Sequence, residues 1–421
     1  MCGLVPPKNA VRDVQPATST GSNNMTLSED VLATAWYPGW LAASFPPSSI
    51  SWSKYTAMTF AFAVTTPDAS VISLDSTSQQ ALPEFVAEAK KNNVSALVSI
   101  GGWTGSIYYS SAVATAENRT IFVKAVTDFA TQYQLDGIDF DWEYPNKQGI
   151  GCNIISPDDS ANFLAFLQAL KADPVGSNLI LSAAVGIAPF VGPDGTPMTD
   201  VSAFAPLLDH IAIMNYDVWG SWSTGVGPNA PLDDSCAPTQ AGSADSAVKA
   251  WTSANFPADQ IALGVAAYGH SFHVASSAAL DSSGNIAAYP AFDAGQQPAG
   301  DSDTGGGGGG VDQCGNPSTG NGNSGVFDFW GLIQFGFLTQ NGTVASGIDY
   351  RYDACSQTPY VYSPQNQTMV SYDDARSFAA KGEFINDNGL KGFAMWHVAG
   401  DFDDILVDAI SDAMGIVQIC S

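Results

Sequence analysis

The stretch Leu135-Asp136-Gly137-Ile138-Asp139-Phe140-Asp141-Trp142-Glu143-Tyr144-Pro145 decides the fold and points to the chemistry. Its four acids are set among apolar residues of the kind that build a buried β-strand. Successive strand side chains point to opposite faces, so Asp139, Asp141 and Glu143 share one face, with neighbours roughly 6.5–7 Å apart. Phe140 and Trp142 point the other way, into packing, and Asp136 is out of phase with the other three acids. Unpaired buried charge is costly, so three carboxylates on one face of a core strand mark a functional site.

Working outward, apolar runs read as strands at Val31–Tyr37, Tyr55–Val64 and Ala96–Ile100, with later ones at Leu179–Val185, His210–Tyr216, Ile261–Tyr268 and Gly392–Trp396. Between them, Leu82, Phe85, Val86 and Ala89 fall at helical spacing, as do Phe122, Val126, Phe129 and Tyr133. Ser156-Pro157 predicts the start of another helix, with Phe163, Phe166, Leu167 and Leu170 on its apolar face. A closing helix is expected near Asp404–Met414. Eight strands alternating with helices predict an α/β fold, a parallel (β/α)8 barrel; a doubly wound open sheet is the alternative. The acidic strand is the fourth, and its acids approach the C-terminal end, where such barrels carry their chemistry.

Over a hundred residues separate the seventh strand from the eighth, too many for a loop without structure of its own. The expected organisation is an N-terminal arm over 1–29, a barrel from 30–270 and 371–421, and an α+β insertion over 271–370. Within the insertion, Ala287–Asp293 and Gln357–Thr368 read as extended and Phe327–Phe337 as helical. The glycine run Gly305–Gly310 lacks the Gly-Lys-Ser/Thr of a phosphate loop, and with Asp301 and Asp303 it reads as a surface loop, not a calcium site.

With 14 Lys+Arg against 41 Asp+Glu, the net charge is −27, which repels phosphate backbones and anionic lipid; nucleic acid and membrane partners are not expected. A neutral substrate is indifferent to that field. No apolar run is long enough to span a bilayer. Residues 1–10 lack the apolar core of a secretory leader, whereas six cysteines and five sequons (Asn24, Asn93, Asn118, Asn341, Asn366) suit an oxidising, glycosylating compartment. Secretion is therefore expected, although no signal peptide is visible. Six cysteines allow fifteen pairings, among which sequence cannot choose. The four histidines are too dispersed to form a metal cluster, and neither a metal nor a cofactor is expected.

Asp136, Asp139, Asp141 and Glu143 match the D-x-x-D-x-D-x-E signature, and through it the chain resembles the chitinases of glycoside hydrolase family 18. The resemblance extends over roughly residues 30–412. Ser99-x-Gly101-Gly102 is similar to the family's S-x-G-G, and Met214-Asn215-Tyr216-Asp217 to its M-x-Y-D. Tyr268-Gly269-His270-Ser271-Phe272 is similar to Y-G-R-S-F, with His270 in place of the Arg. Trp36, where a Tyr often stands, and His397 are the other departures.

The resemblance implies retaining cleavage of chitin or chitooligosaccharides, in which the substrate's 2-acetamido oxygen is the nucleophile and an oxazolinium intermediate forms. It makes Glu143 the general acid and base, Asp141 the orienter of the acetamido group and Asp139 its proton-sharing partner. Tyr216 then donates to the acetamido oxygen. Asp217, Met214, Tyr144, Tyr268, Trp396, Trp103 and Trp222 contact sugars, while Asp136, Ser99, Gly101 and Gly102 give support. Loop position and family pattern further imply pairing of Cys152 with Cys236, Cys314 with Cys355 and Cys2 with Cys420. They also imply cis peptides at Ala61–Phe62, Glu143–Tyr144 and Trp396–His397. The expected protein is a monomeric secreted endochitinase. A non-catalytic chitin-binding lectin and an endo-β-N-acetylglucosaminidase acting on N-glycans are the alternatives.

Overall fold

A computed structural model describes residues 2–5, 31–303, 311, 314–316 and 322–420. Seven barrel strands come first among the described residues: β1 (Leu32–Pro38), β2 (Ala57–Thr65), β3 (Ser95–Gly101), β4 (Gly137–Asp141), β5 (Ile180–Val185), β6 (His210–Ile213) and β7 (Ile261–Ala266). A second sheet follows, made of β8 (Tyr268–His273), β9 (Val326–Asp328), β10 (Asp349–Asp353), β11 (Thr358–Ser363) and β12 (Thr368–Ser371). The chain then returns as β13 (Gly392–Trp396). Strands β1 to β7 and β13 pair in parallel, and β1 pairs with both β2 and β13, so the ring closes on itself as a (β/α)8 barrel. The second sheet is antiparallel in the order β9-β8-β12-β11-β10, as expected for an insertion between the seventh and eighth barrel strands.

Among the described residues, six helices of ten or more residues pack outside the ring: α1 (Ser76–Lys91), α2 (Ala116–Tyr133), α3 (Asp159–Ala172), α4 (Ala244–Ser253), α5 (Ala375–Asp387) and α6 (Ile405–Met414). Their starts are coded locally. Asp75 accepts from the N–H groups of Thr77 and Ser78, and Ser243 and Asp374 each form a reciprocal cap with the residue three positions on. The outward face of β4 supplies Phe140, whose ring meets Phe163 and Phe166 of α3 edge-on at 5.8 and 5.5 Å. Inside the ring, Ala61, Ala184, Ala212, Ala262 and Ala394 are small, which leaves room for the large indole of Trp36.

The structure corrects several local expectations. The helix expected from Ser156-Pro157 starts at Asp159, because the Asp159 carboxylate itself takes the Ser156 N–H at 2.9 Å. Residues 287–293 form no strand, and Phe327–Phe337 divides into the end of β9 and a one-turn helix, Phe329–Gln334. The acidic strand ends at Asp141, so Glu143 stands just beyond it. Asp303 is a loop clasp whose Oδ2 accepts from the N–H groups of Gly300 and Ser324 at 2.7 and 2.8 Å.

The disulfides also differ from expectation. Cys152 pairs with Cys314 and Cys236 with Cys355, so each bond joins a barrel loop to the insertion instead of staying within one of them. The loops after β4 and the sixth strand lie against the insertion, which brings their cysteines within Cα distances of 5.6 and 6.4 Å of its own. Of the expected N-terminal arm, Cys2–Val5 pairs antiparallel with Val417–Cys420, placing Cys2 opposite Cys420. The expected bond between those two side chains lies outside what is described, as do the rest of the arm and the Gly305–Gly310 run. All three expected non-proline cis peptides are present, at Ala61–Phe62, Glu143–Tyr144 and Trp396–His397.

Candidate active site

The site lies at the C-terminal ends of the barrel strands. Parallel register places Ser99 on β3, Asp139 on β4 and Ser182 on β5 side by side. In-register residues of a sheet face the same way, so both hydroxyls reach the carboxylate: Ser99 Oγ donates to Asp139 Oδ2 at 2.8 Å and Ser182 Oγ to Oδ1 at 2.7 Å. Trp36 Nε1 adds a third bond to Oδ2 at 3.1 Å. Burial pushes the Asp139 carboxyl up, while these three donors pull it down.

Asp141, the next acid on that face, is held well above the usual carboxylate range by burial, reinforced by the charges of Glu143 and Asp139. Its Oδ1 is buried with no hydrogen-bond partner among the described residues. Glu143 is pushed up to about 7, first by burial and then by the charge of Asp217, against a hydrogen bond from Tyr144. Its backbone is fixed on both sides: its N–H donates to Ser106 Oγ at 3.1 Å, and its carbonyl accepts from Asn153 Nδ2 at 2.7 Å. Ser106 also donates to the Asp141 carbonyl at 2.9 Å, locking the strand end to the loop after β3.

Gly101 and Gly102 have positive φ, and at Gly101 an added Cβ would stand 2.1 Å from the Asp141 carbonyl oxygen. Only glycine permits that approach. Asp136 takes no part in the cleft. Its Oδ2 accepts from the Ala96 N–H at 2.9 Å, tying the beginnings of β3 and β4 together.

Opposite the acids, Asp217 adopts φ 56° and its Oδ1 accepts from Tyr268 Oη at 2.6 Å. His270 Nε2 lies 2.7 Å from the same oxygen. Burial, followed by the charges of Asp141, Asp217 and Glu143, pushes the Tyr216 phenol well up, keeping it a hydrogen-bond donor.

These groups border a cleft of about 1090 Å³ that is also lined by Trp36, Trp103, Tyr144, Met214, Trp222 and Trp396. Trp103 and Trp222 are 50% and 62% exposed, which identifies them as surface platforms, not core. Of the candidate site residues, the structure brings together all except Asp136, with Ser99, Gly101, Gly102, Asp139 and Tyr268 standing behind the lining.

Sequence reading missed Ser182, Ser106, Asn153, Phe62 and Trp40. Phe62 stacks on Trp396 with ring centroids 5.5 Å apart, and Trp40 stacks on Phe62 at 6.2 Å. Ser182 had a signal, as the lone hydroxyl in the apolar run Ile180–Val185. Ser106, Asn153 and Trp40 lie outside the strands, where no periodicity marks a side chain as facing the cleft, whereas Phe62 sits within β2 beside the Ala61–Phe62 cis peptide.

A closed (β/α)8 barrel with paired acids at the end of its fourth strand defines a glycosidase-like site. The profile described as "Glycosyl hydrolases family 18" matches residues 34–401, and the chain belongs to that family. A curated relative, "chitinase-like effector" of Moniliophthora roreri, is 51% identical over 91% of this chain and 93% of its own length. The crystal structure of a chitinase from Rhizomucor miehei superposes with a TM-score of 0.79 at 33% identity, covering 90% of this chain and 99% of that one. A family 18 chitinase mutant from Cycas revoluta in complex with (GlcNAc)4 shares the fold, with a TM-score of 0.71 at 24% identity over 91% of this chain and all of its own.

Proposed function

We propose that this chain is a retaining endochitinase that hydrolyses β-1,4 bonds between N-acetylglucosamine units by substrate assistance. The observation that carries the reading is Glu143. It stands in the cleft just beyond the strand that carries Asp139 and Asp141, with its carboxyl pushed up to about 7 by burial and by the charge of Asp217. A carboxyl of that affinity is protonated in mildly acidic solution, as a donor to a leaving glycosidic oxygen must be.

Asp141, its carboxyl held well up by burial, orients the acetamido group, whose own oxygen attacks the anomeric carbon as Glu143 protonates the leaving oxygen. Tyr216 donates to that acetamido oxygen. Water then opens the oxazolinium ring, returning a proton to Glu143 and leaving the β-anomer. Trp396 is the floor beneath the reacting sugar, Asp217 and Met214 line its side, and Trp103 and Trp222 stack on flanking sugars.

A second reading has specific support: the Moniliophthora roreri relative is named as an effector that is chitinase-like. On that reading the cleft binds chitin fragments without turning them over. The four signature acids and Tyr216, all present here, favour hydrolysis.

Early-time proton NMR of a soluble chitin oligosaccharide separates the two. Fresh β-anomer from the wild type and a roughly 10²–10⁴-fold slower reaction in Glu143→Gln are expected. A folded wild type that binds the oligosaccharide and leaves it intact would sink the hydrolase reading in favour of the binding one.

A further inference from the structure

Asn229 is fully buried and engages three segments at once. Its Oδ1 accepts from the Asp217 N–H at 2.9 Å, its Nδ2 donates to the Tyr268 carbonyl at 3.0 Å, and its own N–H donates to the Ser371 hydroxyl at 2.8 Å. Its carbonyl takes the Val218 N–H at 3.0 Å, so the two residues after Tyr216 are both bound to it. Tyr268 opens β8 and Ser371 ends β12, the points where the chain enters and leaves the antiparallel sheet. Asp217 has a left-handed backbone with φ 56°, a conformation uncommon for non-glycine residues. A buried side-chain amide with both polar atoms engaged is a rigid fixture, because releasing either atom leaves an unpaired polar group in the interior.

We propose that Asn229 is a positioning residue that holds Asp217 opposite Glu143 and ties that placement to both ends of the insertion. The inference rests on the reading of Glu143 as the proton donor. Glu143 is faced by Asp217 across the cleft, by Asp141 at the end of β4, by Tyr216 and by Tyr144 beside it, with Asp139 behind Asp141. Asp217 is faced by Tyr268 and His270 of β8 and by Tyr216. Asp217 is carried on the loop after β6, so its distance from Glu143 depends on what anchors that loop. Asn229 anchors its backbone, beside the Tyr268 and His270 contacts to its carboxylate, and displacing it lets the Asp217 charge recede from Glu143.

The test is carbon NMR titration of the full chain labelled at the glutamate carboxyls, with Glu143→Gln used to assign the Glu143 resonance. Asn229→Ala should lower the Glu143 midpoint by roughly half a pH unit or more, in the same direction as Asp217→Asn. Combined with Asp217→Asn, it should add no further shift, because the charge it positions is already gone. Ser371→Ala, which removes one anchor and spares the amide, should shift the midpoint the same way by less. If Asn229→Ala does not fold, Ser371→Ala decides. A folded variant with an unchanged midpoint, or an equal shift in the Asp217→Asn background, would overturn the proposal. The readout needs no turnover, so a wild type that fails to cleave chitin would sink the proposed function without touching this result.

Discussion

At the residue scale the chemistry depends on where one proton sits. The native Glu143 carboxyl binds its proton up to about pH 7, against an ordinary value of 4.5. As the acid in glycosidic cleavage it must be protonated, so kcat/KM should hold on the acid side and fall as pH rises through about 7. A pH–rate profile on a soluble oligosaccharide checks this, and an alkaline limb near the ordinary glutamate value would refute it.

The same shift has a stability consequence of definite sign. Between 4.5 and about 7 the native state holds a proton that the unfolded chain has lost, so stability falls as pH rises through that window. Glu143→Gln removes the effect. Its melting temperature should therefore exceed that of the wild type by more above the window than below it, as calorimetry on both proteins would show.

At the element scale, two covalent ties and one buried ion pair hold the insertion to the barrel and the last helices in place. Cys152–Cys314 and Cys236–Cys355 close sequence separations of 162 and 119 residues. Constraining the unfolded chain over such loops stabilises by about 2–4 kcal/mol per bond. Replacing both cysteines of either bond with serine should cost that much in chemical denaturation, and a non-reducing peptide map should recover these two pairs.

Lys381 of α5 and Asp373 are both fully buried and face one another. Burial lowers the lysine and raises the aspartate, each opposed by the charge of its partner. Removing one partner strands the other, so Lys381→Met should cost about 3–5 kcal/mol, and Lys381→Met/Asp373→Leu should recover most of the loss. A double variant no more stable than the single one would count against this account of the pair.

At the scale of the whole molecule, a net charge of −27 surrounds a cleft whose expected substrate carries none. Long-range fields act on charge and are screened by salt. The Kd for a fully acetylated chitooligosaccharide, measured by calorimetry, should thus change by less than about twofold between low salt and roughly 0.5 M salt. A steep salt dependence would mean that a charged ligand is the better fit. Among the described residues no helix is long and apolar enough to cross a membrane.

The sequence by itself determined the barrel, the strand that bears the acids and most of the site, because each was written locally. Strand alternation set Asp139 and Asp141 on one face, the alternation of strands and helices set the parallel ring, and the short motifs at Ser99, Gly101, Met214 and Tyr216 fell at strand ends. Only the tertiary structure decided which side chains meet from distant segments. Ser182 reaches Asp139 through the register of β5 on β4, and Trp36 reaches it across the barrel from β1. Disulfide pairing crossed between barrel and insertion because proximity in space, not grouping along the chain, selects cysteine partners. Asn229 had no pattern to announce it, since a buried amide joining three distant segments is defined by those segments alone. Periodicity encodes what a residue does relative to its own strand or helix; contacts between segments are fixed by packing, and packing is a property of the folded whole.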